Sequence, residues 1–161
     1  MSPWVEASAF EMVGREIRHY VCDPVSMRSI REYCAGTDDW HRLYWDERSE
    51  DAEAKGGVVA PPLFFLAVAR RVVAREQLME DGQHRDLGVE GVHGRSVQAT
   101  QDVDIRVPVR PGDVLTVRDV LDGIEEKTGR SGKLVIVTVS SEYTNQDAVV
   151  VAVVKAQWIF R

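Results

Sequence analysis

The stretch GGVVAPPLFFLAVARR, residues 56–71, decides the fold. Gly56 and Gly57 mark a turn. Pro61 and Pro62 suit a helix entrance, where a missing N–H leaves no intrahelical bond unmade. Every residue from Leu63 to Ala69 is apolar, and Arg70, Arg71, Arg75 and Glu76 come only afterwards. A helix that is apolar all round at its start is buried all round. Its length and its alanines weigh against a core strand. The spacing therefore predicts one long central helix over residues 62–78.

Downstream the pattern changes to a period of two. Val97, Ala99, Val103, Ile105, Val107 and Val109 alternate with Gln98, Thr100, Asp102, Asp104 and Arg106, as a half-buried strand does. RPGD (residues 110–113) is a turn with Pro presetting φ, and residues 114–124 form the next strand. KTGRSGK (127–133) is a flexible loop. Residues 134–143 alternate again, TNQDA turns the chain, and residues 149–160 are the last strand. Its unbroken apolar run, 149–154, fits a central strand covered on both faces. Upstream, residues 13–21 suit a first strand. Ser26 is a helix N-cap, and Met27, Ile30, Tyr33 and Cys34 recur at helical spacing over residues 26–35. GTDDWHRLYWD (36–46) follows as a loop with a helical turn, and the polar residues 47–55 are expected at the surface.

Composition narrows the function classes. Hydrophobic residues are 44% of the 161, enough for a real core, and the formal net charge is −6. An acidic chain without a basic run is a poor partner for nucleic acid or an anionic membrane. The apolar runs are too short to span a bilayer. The N-terminus lacks a basic-then-apolar signal pattern. Two lone thiols, Cys22 and Cys34, then point to the cytoplasm. No repeat or linker divides the chain, so one domain over 1–161 is expected. There is no nucleophile elbow, phosphate loop or dinucleotide fingerprint. Asp38, Asp39 and His41 lack the second cluster that a metal site would need.

A helix this apolar, followed by four long strands, needs an antiparallel sheet curved around it, an α+β architecture. That is the arrangement of the hotdog fold. IREYCAGTDDWHRLYWD resembles the hydratase signature of the MaoC-like (R)-specific enoyl-CoA hydratases and 3-hydroxyacyl dehydratases. Tyr33 matches its aromatic, Thr37 its hydroxyl, Asp39 its catalytic aspartate, Leu43 its leucine and Asp46 its trailing aspartate. GGVVAPPLFF, VHGRSVQ, VPVRPGDVL and the C-terminal run resemble the N-terminal branch of that family. The resemblance implies a hydro-lyase component acting on enoyl or 3-hydroxyacyl thioesters of CoA or acyl carrier protein, with no cofactor. It also implies side-by-side pairing, as a homodimer or with a second hotdog chain.

The departures are informative. The family's catalytic histidine lies five residues after the aspartate; here that position is Tyr44, and His41 stands where the signature has asparagine. A phenol with a pKa near 10 is a poor base at neutral pH. In active members a backbone N–H at the helix start stabilises the thioester enolate. Pro61 falls at or beside that donor and has no N–H. The sequence therefore reads as a degenerate subunit whose partner carries an intact Asp–His pair. A purely stabilising, acyl-binding partner is the alternative, and a hotdog thioesterase ranks last because the helix carries no acid before Glu76.

The candidate site residues each have a plainer role. Asp39 is either catalytic or the cap of the following turn, and His41 either catalytic or an ordinary loop histidine. Tyr44 either shares the chemistry or packs. Trp40 and Trp45 either line an acyl tunnel or anchor the loop. Ala60, Pro61 and Pro62 would bound the substrate. His93, in GVHGR, makes either a turn or a ligand contact.

Overall fold

A computed structural model describes residues 4–70, 72–78, 80, 82, 84, 89–129 and 132–161. Its frame is a meander of three long strands: β3 (Thr116–Gly129), β4 (Gly132–Thr144) and β5 (Val150–Phe160). β1 (Glu16–Val21) pairs with the free side of β3, and β2 (Ser96–Ile105) with the free side of β5. All pairs are antiparallel, in the order β1-β3-β4-β5-β2. The strands extend into the flexible loop expected at 127–133, as far as the pairing of Gly129 with Gly132; Arg130 and Ser131 lie outside the described residues.

The period of two explains the face that is covered. Val117 and Leu121 of β3, Val135, Val137, Val139 and Tyr143 of β4, and Ala152, Val154 and Phe160 of β5 are all buried. The register sets them side by side in rows across the sheet: Val117–Tyr143–Ala152 at one end, Leu121–Val139 beyond, then Val135–Phe160 at the other. Each end has its own cover. Helices α2 (Met27–Thr37) and α5 (Phe64–Val68) close the first, and α1 (Ala7–Glu11) with residues 89–92 closes the second. Where the chain passes over the second end at Gly94, φ is +110°, and a Cβ would stand 3.0 Å from the Trp4 ring. Only glycine meets both demands without strain.

β2 departs from the simple alternation. A bulge between Gln98 and Thr100 takes up one residue. A bulge reverses which face the side chains use. Val97, counted with Val103 and Ile105 in the sequence, therefore falls on the opposite face and is 57% exposed.

The central helix is the main correction. It runs over Phe64–Val68, not over residues 62–78. Only Phe64, Phe65 and Ala69 of the apolar run are fully buried, whereas Leu63 is 47% exposed. Val72 is 97% exposed, Arg75–Gln77 forms a short 3-10 turn, and Leu78 makes an isolated bridge with His84. Past Ala69 the sequence turns to charged and β-branched residues, and Arg70 and Val72 are exposed. Helical stability comes chiefly from packing one face, so the helix stops there.

Other elements keep close to expectation. α2 starts at the Ser26 cap, with a reciprocal box: Ser26 Oγ accepts from Ser29 N–H at 3.0 Å, and Ser29 Oγ accepts from Ser26 N–H at 3.1 Å. The polar segment 47–55 is less exposed than expected. It contains α4 (Glu50–Ala54), capped by Ser49, and Ser49 and Ala52 are buried. GTDDWHRLYWD contains one helical turn, α3 (Arg42–Trp45). Among the described residues no helix is long and apolar enough to cross a membrane.

Two stability changes follow. Ile30 of α2 is fully buried, so Ile30→Ala should lower the unfolding free energy by about 2–5 kcal/mol. Ser26→Ala should lower it by about 1 kcal/mol. Denaturant titration checks both; an effect of Ser26→Ala as large as that of Ile30→Ala would show that α2 is held by its cap, not by its packing.

Candidate functional site

A cleft of about 260 Å³ lies between α3, the α5 entrance and the edge strand β2. Tyr44 and Leu43 form one wall. Val59, Ala60, Pro61, Pro62 and Phe65 form a second, and residues 105–109 with Val151 form a third. The local sequence explains the middle wall. Ala60 N–H donates to the Val109 carbonyl at 2.8 Å, which ties the approach to the β2–β3 connection. Phe64 N–H then donates to the Pro61 carbonyl at 3.0 Å and starts the helical turn. Positions 61 and 62 thus present two prolines, with no N–H, to the cleft.

Four of the expected residues meet here: Tyr44, Ala60, Pro61 and Pro62. Asp39 does not line the cleft. Its carboxylate accepts from His41 N–H at 3.2 Å, and its carbonyl accepts from the Trp45 indole at 3.2 Å. The αL residue Asp38 ends α2 just before it. His41 caps α3, its Nδ1 accepting from Leu43 N–H at 3.2 Å. Trp40 is 59% exposed and stacks on Trp45 at 4.9 Å, and Trp45 packs against the core. His93 is far from this group in the fold. It sits at the second end of the sheet, its Nε2 within 2.8 Å of Glu6 Oε1 and its N–H on the Trp4 carbonyl.

The electrostatics make Tyr44 a retained phenol. Burial, then the charge of Asp39, pushes its pKa upward. Burial and Asp39 act on Cys34 in the same direction. A phenol held protonated can donate a hydrogen bond at the cleft wall, but it cannot take a proton at neutral pH. Among the described residues no group of three or more His, Cys, Asp or Glu is placed to hold a metal.

Sequence reasoning missed Phe65 and the 105–109 wall, which only the register brings together. It also missed a partly buried ion pair on the sheet: Arg18 Nε lies 2.6 Å from Asp119 Oδ2. A signal existed. Asp119 falls between Val117 and Leu121 on the apolar parity of its strand.

Residues 11–154 match the family model described as FAS1-like, dehydratase domain region. A UPF0336 protein of Streptomyces coelicolor is 30% identical over 118 residues, covering 73% of this chain and 74% of that protein. In the solved ChsH1–ChsH2 complex from Mycobacterium tuberculosis, the similar chain superposes with a TM-score of 0.70 at 16% identity, over 96% of this chain and 87% of that one. The R-hydratase PhaJ1 from Pseudomonas aeruginosa gives 0.65 at 17% identity, over 92% and 81%. The short α5 and the β1-β3-β4-β5-β2 sheet are thus a variant of the hotdog architecture, and this chain belongs to the FAS1-like dehydratase-region family of MaoC-like hydratases and dehydratases.

Proposed function

We propose that the chain is the degenerate subunit of a two-hotdog hydratase or dehydratase that acts on enoyl or 3-hydroxyacyl thioesters. One observation carries this reading. The cleft is bounded by Tyr44 and by Pro61 and Pro62, where an active member of this family would present a histidine and an N–H donor. Adding water to an enoyl thioester needs a group to take the water's proton and a donor to hold the developing enolate. Tyr44 keeps its proton and the prolines have none to give. Asp39 is engaged with its own loop. The walls that remain are mostly apolar, with Arg106 among them, and fit the role of shaping a thioester site whose acid–base pair comes from a neighbour.

The position of the cleft supports a partner. Ile105, the last residue of edge strand β2, lines it and is 40% exposed, with Leu63 similarly open nearby in the chain's α5 entrance. Among the described residues one edge of β2 is unpaired, and such an edge invites a second strand. A chain laid along β2 would cover these residues and wall the cleft. The ChsH1–ChsH2 structure is a complex in which a chain of this fold is assembled with a partner, and this chain is read as assembling with a partner too, one bearing an intact Asp–His pair.

The test is a complex reconstituted with such a partner and assayed by hydration of crotonyl-CoA. Asp39→Asn in this chain should change the rate by less than about threefold, roughly 0.6 kcal/mol in the barrier. Ile105→Lys should abolish co-sedimentation with the partner and lower the rate at least about tenfold at micromolar concentration. A loss of a hundredfold or more in Asp39→Asn, with the complex intact, would make Asp39 catalytic and overturn the degenerate reading. No rate gain on adding any partner would leave a purely stabilising role.

A further inference from the structure

The cleft between α3, the α5 entrance and β2 leaves one question open: what a ligand there could hydrogen-bond to. Several of its backbone donors are already engaged. Leu43 N–H donates to His41 Nδ1 at 3.2 Å, and Tyr44 N–H to the His41 carbonyl at 3.0 Å. Ala60 N–H is held by the Val109 carbonyl, and the N–H groups of Arg106 and Val107 both reach the Val151 carbonyl. Pro61, Pro62 and Pro108 line the cleft without an N–H. Among the described residues that line it, Tyr44 and Arg106 alone carry a hydrogen-bonding side chain. Arg106 Nε lies 3.2 Å from Asp104 Oδ2, and both side chains are more than half exposed. The charge of Arg106 is thus already opposed.

Tyr44 differs. Its ring packs against the core, but its hydroxyl makes no hydrogen bond among the described residues. The one buried side-chain polar atom without a partner among them is Asp119 Oδ1. The Tyr44 hydroxyl is therefore within reach of solvent, and it is an uncharged donor. The charge of Asp39 bears on Tyr44 and on Cys34 alike. That negative potential keeps the phenol protonated and opposes an anionic ligand beside it. Val59, Ala60, Phe65 and Val107 supply apolar wall for a hydrocarbon body. A neutral acceptor joined to hydrocarbon meets all of these conditions, and a carboxylate does not.

We infer that Tyr44 is a specificity-determining residue whose hydroxyl donates to the uncharged carbonyl oxygen of an acyl thioester bound in this cleft. The inference rests on the thioester reading proposed above and deepens it. The hydrogen bond is a binding contact, and no proton is transferred. Tyr44 thus offers a donor beside prolines that have none, without supplying the base that hydration needs.

The experiment titrates the full chain by calorimetry with two probes, butyryl-pantetheine and S-butyl-pantetheine. They differ only in the carbonyl, which is a methylene in the thioether. Infrared spectra of butyryl-pantetheine carrying carbon-13 at its carbonyl read the hydrogen bond itself. The thioester should bind at least about threefold more tightly than the thioether, as expected for one neutral hydrogen bond. Its carbonyl stretch should move to lower frequency on binding. Tyr44→Phe should remove both the preference and the frequency shift, while thioether binding stays within about twofold. Equal binding of the two probes to the unaltered chain, or a preference that survives Tyr44→Phe, overturns the inference and leaves the thioester reading standing. Loss of thioether binding in Tyr44→Phe would make the residue a structural one and also overturns it. Binding of neither probe overturns both the inference and the thioester reading of the cleft.

Discussion

The insertion of Phe64 and Phe65 into one end of the sheet face is the contact on which the rest depends. Phe64 meets the Tyr33 ring of α2 edge-on at 5.5 Å, and Phe65 meets Tyr143 of β4 at 4.8 Å. Two adjacent aromatic residues on one helical turn thus tie α2 to the middle of the sheet. Burying large rings supplies much of a core's free energy, and edge-to-face pairs add to it. Both are almost wholly inaccessible to water. The same turn sets Pro61 and Pro62 at the cleft and determines how far the sheet face is covered.

That one turn has consequences in two directions. Toward its N-terminus, the double proline gives the cleft a wall with no backbone donor; on the proposed reading this is the shape of a thioester site without its electrostatics. Toward its C-terminus, the helix stops at Val68, and among the described residues a cavity lies there over a stretch of sheet with a polar row. The Tyr44 side follows the same logic. The capping interactions of Asp39 and His41 hold the 36–46 loop in place. The Trp40–Trp45 stack packs that loop against the core. Groups that could act on a substrate are occupied in holding the loop.

Much of the fold was legible because the sheet obeys simple alternation. The strands at 134–143 and 149–160 and the Ser26 cap lie where periodicity and capping chemistry put them. Two errors share one cause. The central helix was read by composition, and composition does not reveal where the apolar surface receiving a helix ends. The phase of β2 was read as continuous, and a bulge at Ala99 leaves no mark in a run of alternating residues. At the site, Tyr44 and the prolines were legible from their place in the resemblance. The 105–109 wall and the Arg18–Asp119 pair were not, since strands more than a hundred residues apart bring the latter together.

The central claim is that this chain lacks an acid–base pair of its own. The most direct measurement is turnover of an enoyl-CoA by the pure chain alone, followed at neutral pH. The account predicts no hydration above the uncatalysed background. Robust turnover that vanishes in Asp39→Asn would contradict it, since it would mean that Asp39 and Tyr44 perform the reaction without a partner.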